Sequence, residues 1–409
     1  MDTNRKRLKI LFVSQYFPPE VAAPAVRVYE TSREWVKLGH NVTVLCGFPH
    51  HPTGTVPKRY RDFLIKRENW DGIKVVRTWL YAAENKGVIR RSLSYISFMI
   101  SAIISGLLFT RKFDVLIATS PQLLVGVAGW VLAKLKRCPF VFEVRDLLPE
   151  GFYTINILEH GSLPFRVLRM LVSFLYQKAQ RLVVVSETQR DFIANEYRIP
   201  KEKIGLFPNG VSNWFFEIAE QNRKAQDGAV REVLYIGTLG FSQGLEVIID
   251  AAERLPNVKF RLIGEGAAKR NLVRLISDRK LSNVAILPSV PRKQVPAEYA
   301  SAQVALVTLG AGGSLKTALP SKMFEAMACG VPLVVVAEGE AARIGEYSGA
   351  AITVKPYDAN GLAAAIQRLN DMLPRQKMSN RGVEFARNNM SRQTISLSYA
   401  EWLNHMVKG

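Results

Sequence analysis

The chain has 409 residues, 48% of them hydrophobic, which is enough for more than one buried core and argues against disorder. Its three cysteines, Cys46, Cys138 and Cys329, lie far apart without any Cys/His spacing, which argues against a disulfide framework and a structural zinc site and fits a reducing cytoplasm. The net charge of +20 is uneven, with thirty-one Lys and Arg against seventeen Asp and Glu in residues 1–212 and twenty-four against eighteen beyond them; such a field suits nucleic acid, anionic lipid or a phosphorylated substrate.

The basic stretch Met1 to Lys9 is followed by an apolar run, Ile10 to Val13, too short for a signal-peptide core, so it reads as a first strand. Short β-branched runs then alternate with helical-period segments, giving strands near 8–13, 42–46, 74–79, 113–118, 139–144, 182–186 and 204–207. An amphipathic helix, Ala25 to Leu38, ends at Gly39 before the second strand. This βαβ rhythm implies a buried parallel sheet. After the second strand, His50 and His51 stand in a turn-rich loop, either as plain loop polarity or as acceptor-contact and acid–base groups.

Leu93 to Phe109 is uncharged and largely apolar, flanked by Arg90-Arg91 and Arg111-Lys112. Seventeen helical residues span about 25 Å, short of the roughly 30 Å hydrocarbon core, so the run is read as a buried helix or one lying in a membrane interface. Ser162 to Lys178 is a second basic amphipathic segment. Between them, Glu143-Val-Arg-Asp-Leu-Leu-Pro-Glu150 follows a strand, so Arg145 and Asp146 emerge at the carboxyl edge of the sheet. They are candidate catalytic residues, or else a helix cap and its ion-pair partner.

A polar stretch, 213–231, reads as a linker, and the alternation restarts with strands near 232–237, 258–263, 284–287, 303–308, 332–336 and 351–354. In open α/β sheets ligands gather at the carboxyl ends of strands, where helix amino termini attract anions. Two glycine-rich loops occupy such places: Gly237 to Gly244, and Leu309 to Pro320 before the helix Ser321-Lys-Met-Phe-Glu-Ala-Met-Ala-Cys329, with Pro320 placed at its first position and Gly330 just past its end. Lys322 in that first turn is unfavourable unless an anion joins it, and a diphosphate would serve. Glu325, on the same face, can accept hydrogen bonds from ribose hydroxyls or simply pair with Lys322. The last segment, Arg392 to Val407, reads as a helix with Ile395, Tyr399, Trp402 and Met406 on one face, suited to pack back on the first domain.

Several of these segments resemble one family. Tyr235-Ile-Gly, Leu262-Ile-Gly-Glu-Gly266, Asn283-Val-Ala-Ile-Leu-Pro and Glu325-Ala-Met-Ala-Cys-Gly-Val-Pro332 are similar to the nucleotide-binding domain of family-4 retaining glycosyltransferases. In the first half, Lys9-Ile-Leu-Phe-Val-Ser, Gly39-His-Asn-Val-Thr-Val, Val183-Val-Val-Ser and Pro208-Asn-Gly-Val211 resemble the same family. His50-His-Pro-Thr-Gly54, Arg145-Asp-Leu-Leu-Pro-Glu150 and Pro320-Ser-Lys322 look like its bacterial surface-polysaccharide branch, which includes UDP-N-acetyl-L-fucosamine transferases.

The resemblance implies an α/β, GT-B-type fold: two Rossmann-like domains facing across a cleft, residues 1–212 with helix 392–409 for the acceptor and 232–391 for the nucleotide sugar. It implies a UDP-sugar donor, a saccharide or polyprenyl-diphosphate-linked acceptor, no metal, no other cofactor and no nucleic acid. The scattered cysteines and the basic, apolar segments 93–109 and 162–178 together suggest a cytoplasmic location, peripheral on the membrane. Glu325 matches the carboxylate that contacts ribose, whereas the first Glu of the same motif falls at Thr317, and the family's diphosphate-gripping cations fall near Thr238 and Gln243. Lys322 is the substitute, grouped with Arg145 and Asp146 as catalytic. Gly240, Gln243, Gly264, Glu265, Leu287 and Ser321 are expected around the nucleotide, with Gly313, Thr317, His50 and His51 near donor sugar or acceptor. The missing cations leave open a non-catalytic nucleotide-sugar-binding subunit of the same fold. A nucleic-acid binder would be expected to show an aromatic platform or recognition helix, and neither is recognisable.

Overall fold

The computed structural model describes residues 7–20, 22–51, 53–83, 87–110, 112–151, 159, 161–218 and 228–408; Arg111 and the centre of the expected linker, 219–227, lie outside the described residues. The chain forms two compact units, one from residues up to Pro149, Gly161–Pro208 and Gln393 onward, the other chiefly Asn209–Arg392.

The first unit is built on an eight-stranded sheet in the order β3-β4-β2-β1-β5-β6-β7-β8. The strands are β1 (Lys9–Val13), β2 (Asn41–Gly47), β3 (Ile65–Trp70), β4 (Ile73–Thr78), β5 (Val115–Thr119), β6 (Phe140–Glu143), β7 (Arg181–Val184) and β8 (Ile204–Leu206). All pair in parallel except the hairpin β3–β4. The charged run Ile-Lys-Arg-Glu-Asn-Trp of β3 has no apolar periodicity and was not expected as a strand. It is formed by its turn, where Asp71 and Gly72 take φ of 50° and 85°, the conformation an Asp-Gly hairpin loop adopts.

Helices α1 (Ala23–Lys37), α2 (Val88–Phe109), α3 (Leu123–Lys136) and α4 (Leu163–Lys178) cover this sheet. Helix α2 starts five residues before the apolar run that marks it in the sequence. The C-terminal helix Arg392–Lys408 completes the core, as expected: the Trp35 indole donates to the Ser396 carbonyl at 3.0 Å, and Tyr399 packs against Trp35 and stacks on Phe207 at 4.4 Å.

The second unit holds a six-stranded, all-parallel sheet in the order β11-β10-β9-β12-β13-β14. Its strands are β9 (Glu232–Ile236), β10 (Lys259–Ile263), β11 (Val284–Leu287), β12 (Val304–Thr308), β13 (Leu333–Val336) and β14 (Ala351–Val354). The order reverses between β9 and β12, so a crevice opens beyond their carboxyl ends, where doubly wound sheets bind ligands. One core cluster lies on each face of the sheet. Part of the expected linker belongs to this core: Phe215 is fully buried, and Val211 bridges to Ser391. The run Trp214-Phe215-Phe216 is too apolar to stay in solvent, so the second unit begins at Asn209 and not after the linker.

Candidate active site

In the second unit the loops after β9 and β12 meet, as Gly310 N donates to the Ser242 carbonyl at 2.8 Å. Helix α5 (Ser321–Ala328) begins beside them. Pro320 is its N-cap and not its first helical residue; Met323 N bonds back to the Pro320 carbonyl, and no side chain caps the end. The amides of Ser321 and Lys322 therefore lack the i−4 carbonyl partners of a helix interior, and such an end attracts anions.

Lys322 reaches back to the end of β9. Its Nζ donates to the Tyr235 hydroxyl at 2.6 Å, and that hydroxyl donates to the Thr238 carbonyl at 2.8 Å. A Cβ on Gly237 would sit 3.0 Å from Nζ, so glycine there clears the space for the ammonium. Burial pushes Lys322 down to about 7, with the charge of Glu325 opposing, and burial raises the Tyr235 phenol so that it stays a hydroxyl.

The Lys322–Glu325 pair weighed from the sequence does not form. Glu325 is buried, and its Oε1 accepts from Arg292 Nη1 at 2.7 Å, with Arg292 lying over the Phe215 ring. Sequence reasoning missed Arg292 because its nearest acid in sequence is not its partner. Tyr235 had a weak signal, since a tyrosine inside a buried strand needs a partner for its hydroxyl.

The other expected nucleotide-site residues divide. A Cβ on Gly264 would fall 1.9 Å from the Gly237 carbonyl oxygen, so Gly264 is required for close packing of the two strand-end loops. Gly240 and Gln243 share the β9 loop, and the Gln243 Oε1 is buried without a hydrogen-bond partner. Glu265 is exposed and bonded to Lys269 at 2.7 Å, and Leu287 is half-buried against the core. Gly313 and Thr317 bound a short 3-10 turn; at the turn's Lys316, a Cβ on Gly339 would come within 2.1 Å of the carbonyl oxygen, locking turn and neighbour together.

In the first unit, Arg145 pairs with the fully buried Glu143 at 2.9 Å and donates to the Phe207 carbonyl at 3.2 Å. It does not pair with Asp146, which is exposed, because β6 delivers Glu143 into the interior beside Arg145. Burial would raise the Glu143 carboxyl, but Arg145 and Arg27 together hold it below the usual carboxylate value. His50 and His51 gather at the ends of β1 and β2 around the buried Glu20, whose Oε1 accepts both backbone amides at 3.0 and 2.9 Å. Tyr16 lies against both rings. Burial lowers both histidines, so they are neutral at pH 7. Burial also raises Glu20 against three backbone hydrogen bonds. Among the described residues, no group of three His, Cys, Asp or Glu side chains is placed to hold a metal ion.

Comparison with known proteins adds the family. The glycosyl transferase 4-like domain matches residues 22–210 and the glycosyl transferases group 1 domain matches residues 217–387. The chain is 26% identical over 403 residues to the putative colanic acid biosynthesis glycosyl transferase WcaI of Escherichia coli, covering 95% of this chain and 98% of that one. It is 27% identical over 282 residues to the probable glycosyltransferase WbjE of Pseudomonas aeruginosa, covering 64% and 67%. Among solved structures, sucrose-phosphate synthase from Thermosynechococcus elongatus superposes with a TM-score of 0.77 at 18% identity, covering 98% of this chain and 99% of that one. Anabaena HepE in complex with UDP and glucose gives 0.70 at 18% identity, covering 97% and 99%. These likenesses establish the two-domain Rossmann-like, GT-B fold, and the paired domain matches along the chain establish the family: the chain belongs to the family-4 glycosyltransferases.

Proposed function

We propose that this glycosyltransferase moves a sugar from UDP to a lipid-linked saccharide acceptor during surface polysaccharide synthesis, with retention and without a metal. The relatives named for colanic acid biosynthesis support the polysaccharide setting. Solved neighbours in complex with UDP and glucose support the nucleotide. An N-acetylated deoxyhexosamine is the proposed sugar, on the likeness of His50-His-Pro-Thr-Gly54 to the corresponding branch. A cytoplasmic, membrane-peripheral location suits a polyprenyl-linked acceptor.

The observation that carries the reading is Lys322, held by Tyr235 over Gly237 at the amino end of α5, where the sheet order reverses. The donor's two phosphates take the free amides of Ser321 and Lys322 and the ammonium. Glu325, fixed through Oε1 by Arg292, keeps its second oxygen for a ribose hydroxyl. As the anomeric C–O bond breaks, its electron pair goes to the β-phosphate, and fixed donors stabilise the growing charge without reorganising. The acceptor hydroxyl attacks from the same face and gives its proton to the departing phosphate oxygen. Among the described residues no carboxylate identifies itself as a nucleophile for double displacement.

Thermal-shift titration with UDP, GDP and ADP sugars tests the donor, and UDP sugars should give the largest shift. Transfer assayed after exhaustive chelation should persist, and NMR of the product should show the donor's anomeric configuration. Failure of all three nucleotides to bind would end the proposal, and the inverted anomer would end its front-face step.

A further inference from the structure

Helix α2 has its polarity reversed relative to a helix on a soluble surface. From Ser94 onward its seryl hydroxyls face the protein, Ser92 in the opening turns being exposed: Ser94 and Ser105 are buried, Ser105 Oγ lies 2.7 Å from Thr78 Oγ1, and Ser97 Oγ accepts from Tyr81 N at 2.9 Å. Its large aliphatic side chains face outward. Leu93, Ile96, Ile100, Ile104 and Leu107 follow one another at steps of three or four residues on a single stripe, each 41 to 51% exposed. The inner face is already filled, with Phe98 and Ala102 at zero exposure and Gly106 set against Leu132 and Leu45. A helix apolar on every side belongs in a core or against lipid, and only its inner half is in a core.

The surroundings decide what covers the stripe. Two exposed aromatics, Trp79 and Tyr81, are hydrogen-bonded to α2, and such residues favour the level of lipid headgroups. Arg90 and Arg91 stand at one end of the helix, and Arg67 lies over the Phe109 ring at the other. Residues 55–112 contain twelve Lys and Arg against four Asp and Glu, and no acid lies within α2. We propose that this stripe rests in the interface of an anionic bilayer, with α2 parallel to the membrane plane and the flanking cations on lipid phosphates. Ile89–Phe109 is long and apolar enough to cross a membrane, but crossing would strip its seryl face from the sheet and from α3. A second copy of the chain would bring two basic rims together. The inference deepens the peripheral location proposed above and is tested apart from the chemistry.

Flotation with phosphatidylglycerol-containing vesicles, compared with phosphatidylcholine alone, measures the binding. Wild type should float with the anionic vesicles and be released by alkaline carbonate, and Ile100→Glu with Ile104→Glu should lower the bound fraction at least about tenfold. The double variant should keep its melting temperature, UDP binding and transfer to a water-soluble acceptor analogue, which separates loss of docking from loss of function. Brominated lipid should quench wild-type tryptophan fluorescence, and the quenched component should be missing in Trp79→Phe. Equal flotation of wild type and double variant, no flotation of wild type, resistance to carbonate, or a wild-type dimer that the double variant abolishes would each overturn the inference.

Discussion

Replacing Lys322 by methionine tests the anion site through protons as well as affinity. In the free protein burial pushes the lysine down to about 7, so at that pH roughly half the molecules carry the ammonium. A diphosphate on the amino end of α5 would return it toward its reference value of about 10.4, and binding then takes up a proton at any pH between. The terminal phosphate has its own ionisation near 6, about complete over this range. Linkage makes affinity fall as pH rises, roughly fiftyfold between pH 7 and 9. Calorimetric titration of UDP in two buffers of different ionisation enthalpy should read an uptake of about half a proton at pH 7 and about 0.9 at pH 8. Lys322→Met should bind roughly tenfold to a hundredfold more weakly at pH 7, with no uptake and a flat profile. The sign for folding is fixed too: the unfolded chain binds the extra proton between pH 7 and about 10.5, so the free protein gains stability with rising pH there and the variant does not. A wild type that binds UDP without taking up a proton, or a variant with the same uptake, would refute the assignment.

Glu325→Gln should weaken UDP by roughly tenfold or more, and a 2′-deoxy nucleotide should lose less further affinity in the variant than in the wild type; additive losses would deny the ribose contact. Glu143→Gln leaves the Arg145 guanidinium without its buried counter-charge, and chemical denaturation should show a loss of about 3–5 kcal/mol. Because the folded Glu143 carboxyl is held below 4.5, its contribution is present above that pH and lost as pH falls through its lowered value; the variant should lack this acid limb. His51→Ala should raise the acceptor KM while UDP affinity stays within about twofold, and a matching loss of UDP affinity in calorimetry would remove His51 from the acceptor side.

Apart from β3, the strands of both units were legible because they are short apolar, largely β-branched runs bounded by turn residues, and β11 and β14 begin and end where the sequence places them. Strand β3 was not legible from its own residues, though Asp71-Gly72 between two short runs was an available hairpin signal. Lys322 and Glu325 were singled out in the sequence because helix-end chemistry is local. Their partners were not, since Tyr235 is eighty-seven residues from Lys322 and Arg292 thirty-three from Glu325, and pairing over such distances is set by sheet order. Glu143 was passed over in favour of Arg145 and Asp146 because alternation along a four-residue strand does not say which end residue turns inward. Gly264 was expected around the nucleotide, and only coordinates reveal the carbonyl oxygen that would lie 1.9 Å from a Cβ there.

The helix Arg392–Lys408 has a consequence for how the protein is made. Tyr399, Leu403 and Met406 sit in the same core as Phe12, Trp35 and Val42, so residues of β1, α1 and β2 wait for ones translated well over three hundred positions later before that core is whole. On the ribosome, the second unit has all of its strands available before the first can close. Any fragment ending near Pro208 would leave Trp35 facing water, and expression of that fragment alone should yield aggregation-prone material that a separately supplied C-terminal peptide helps to rescue.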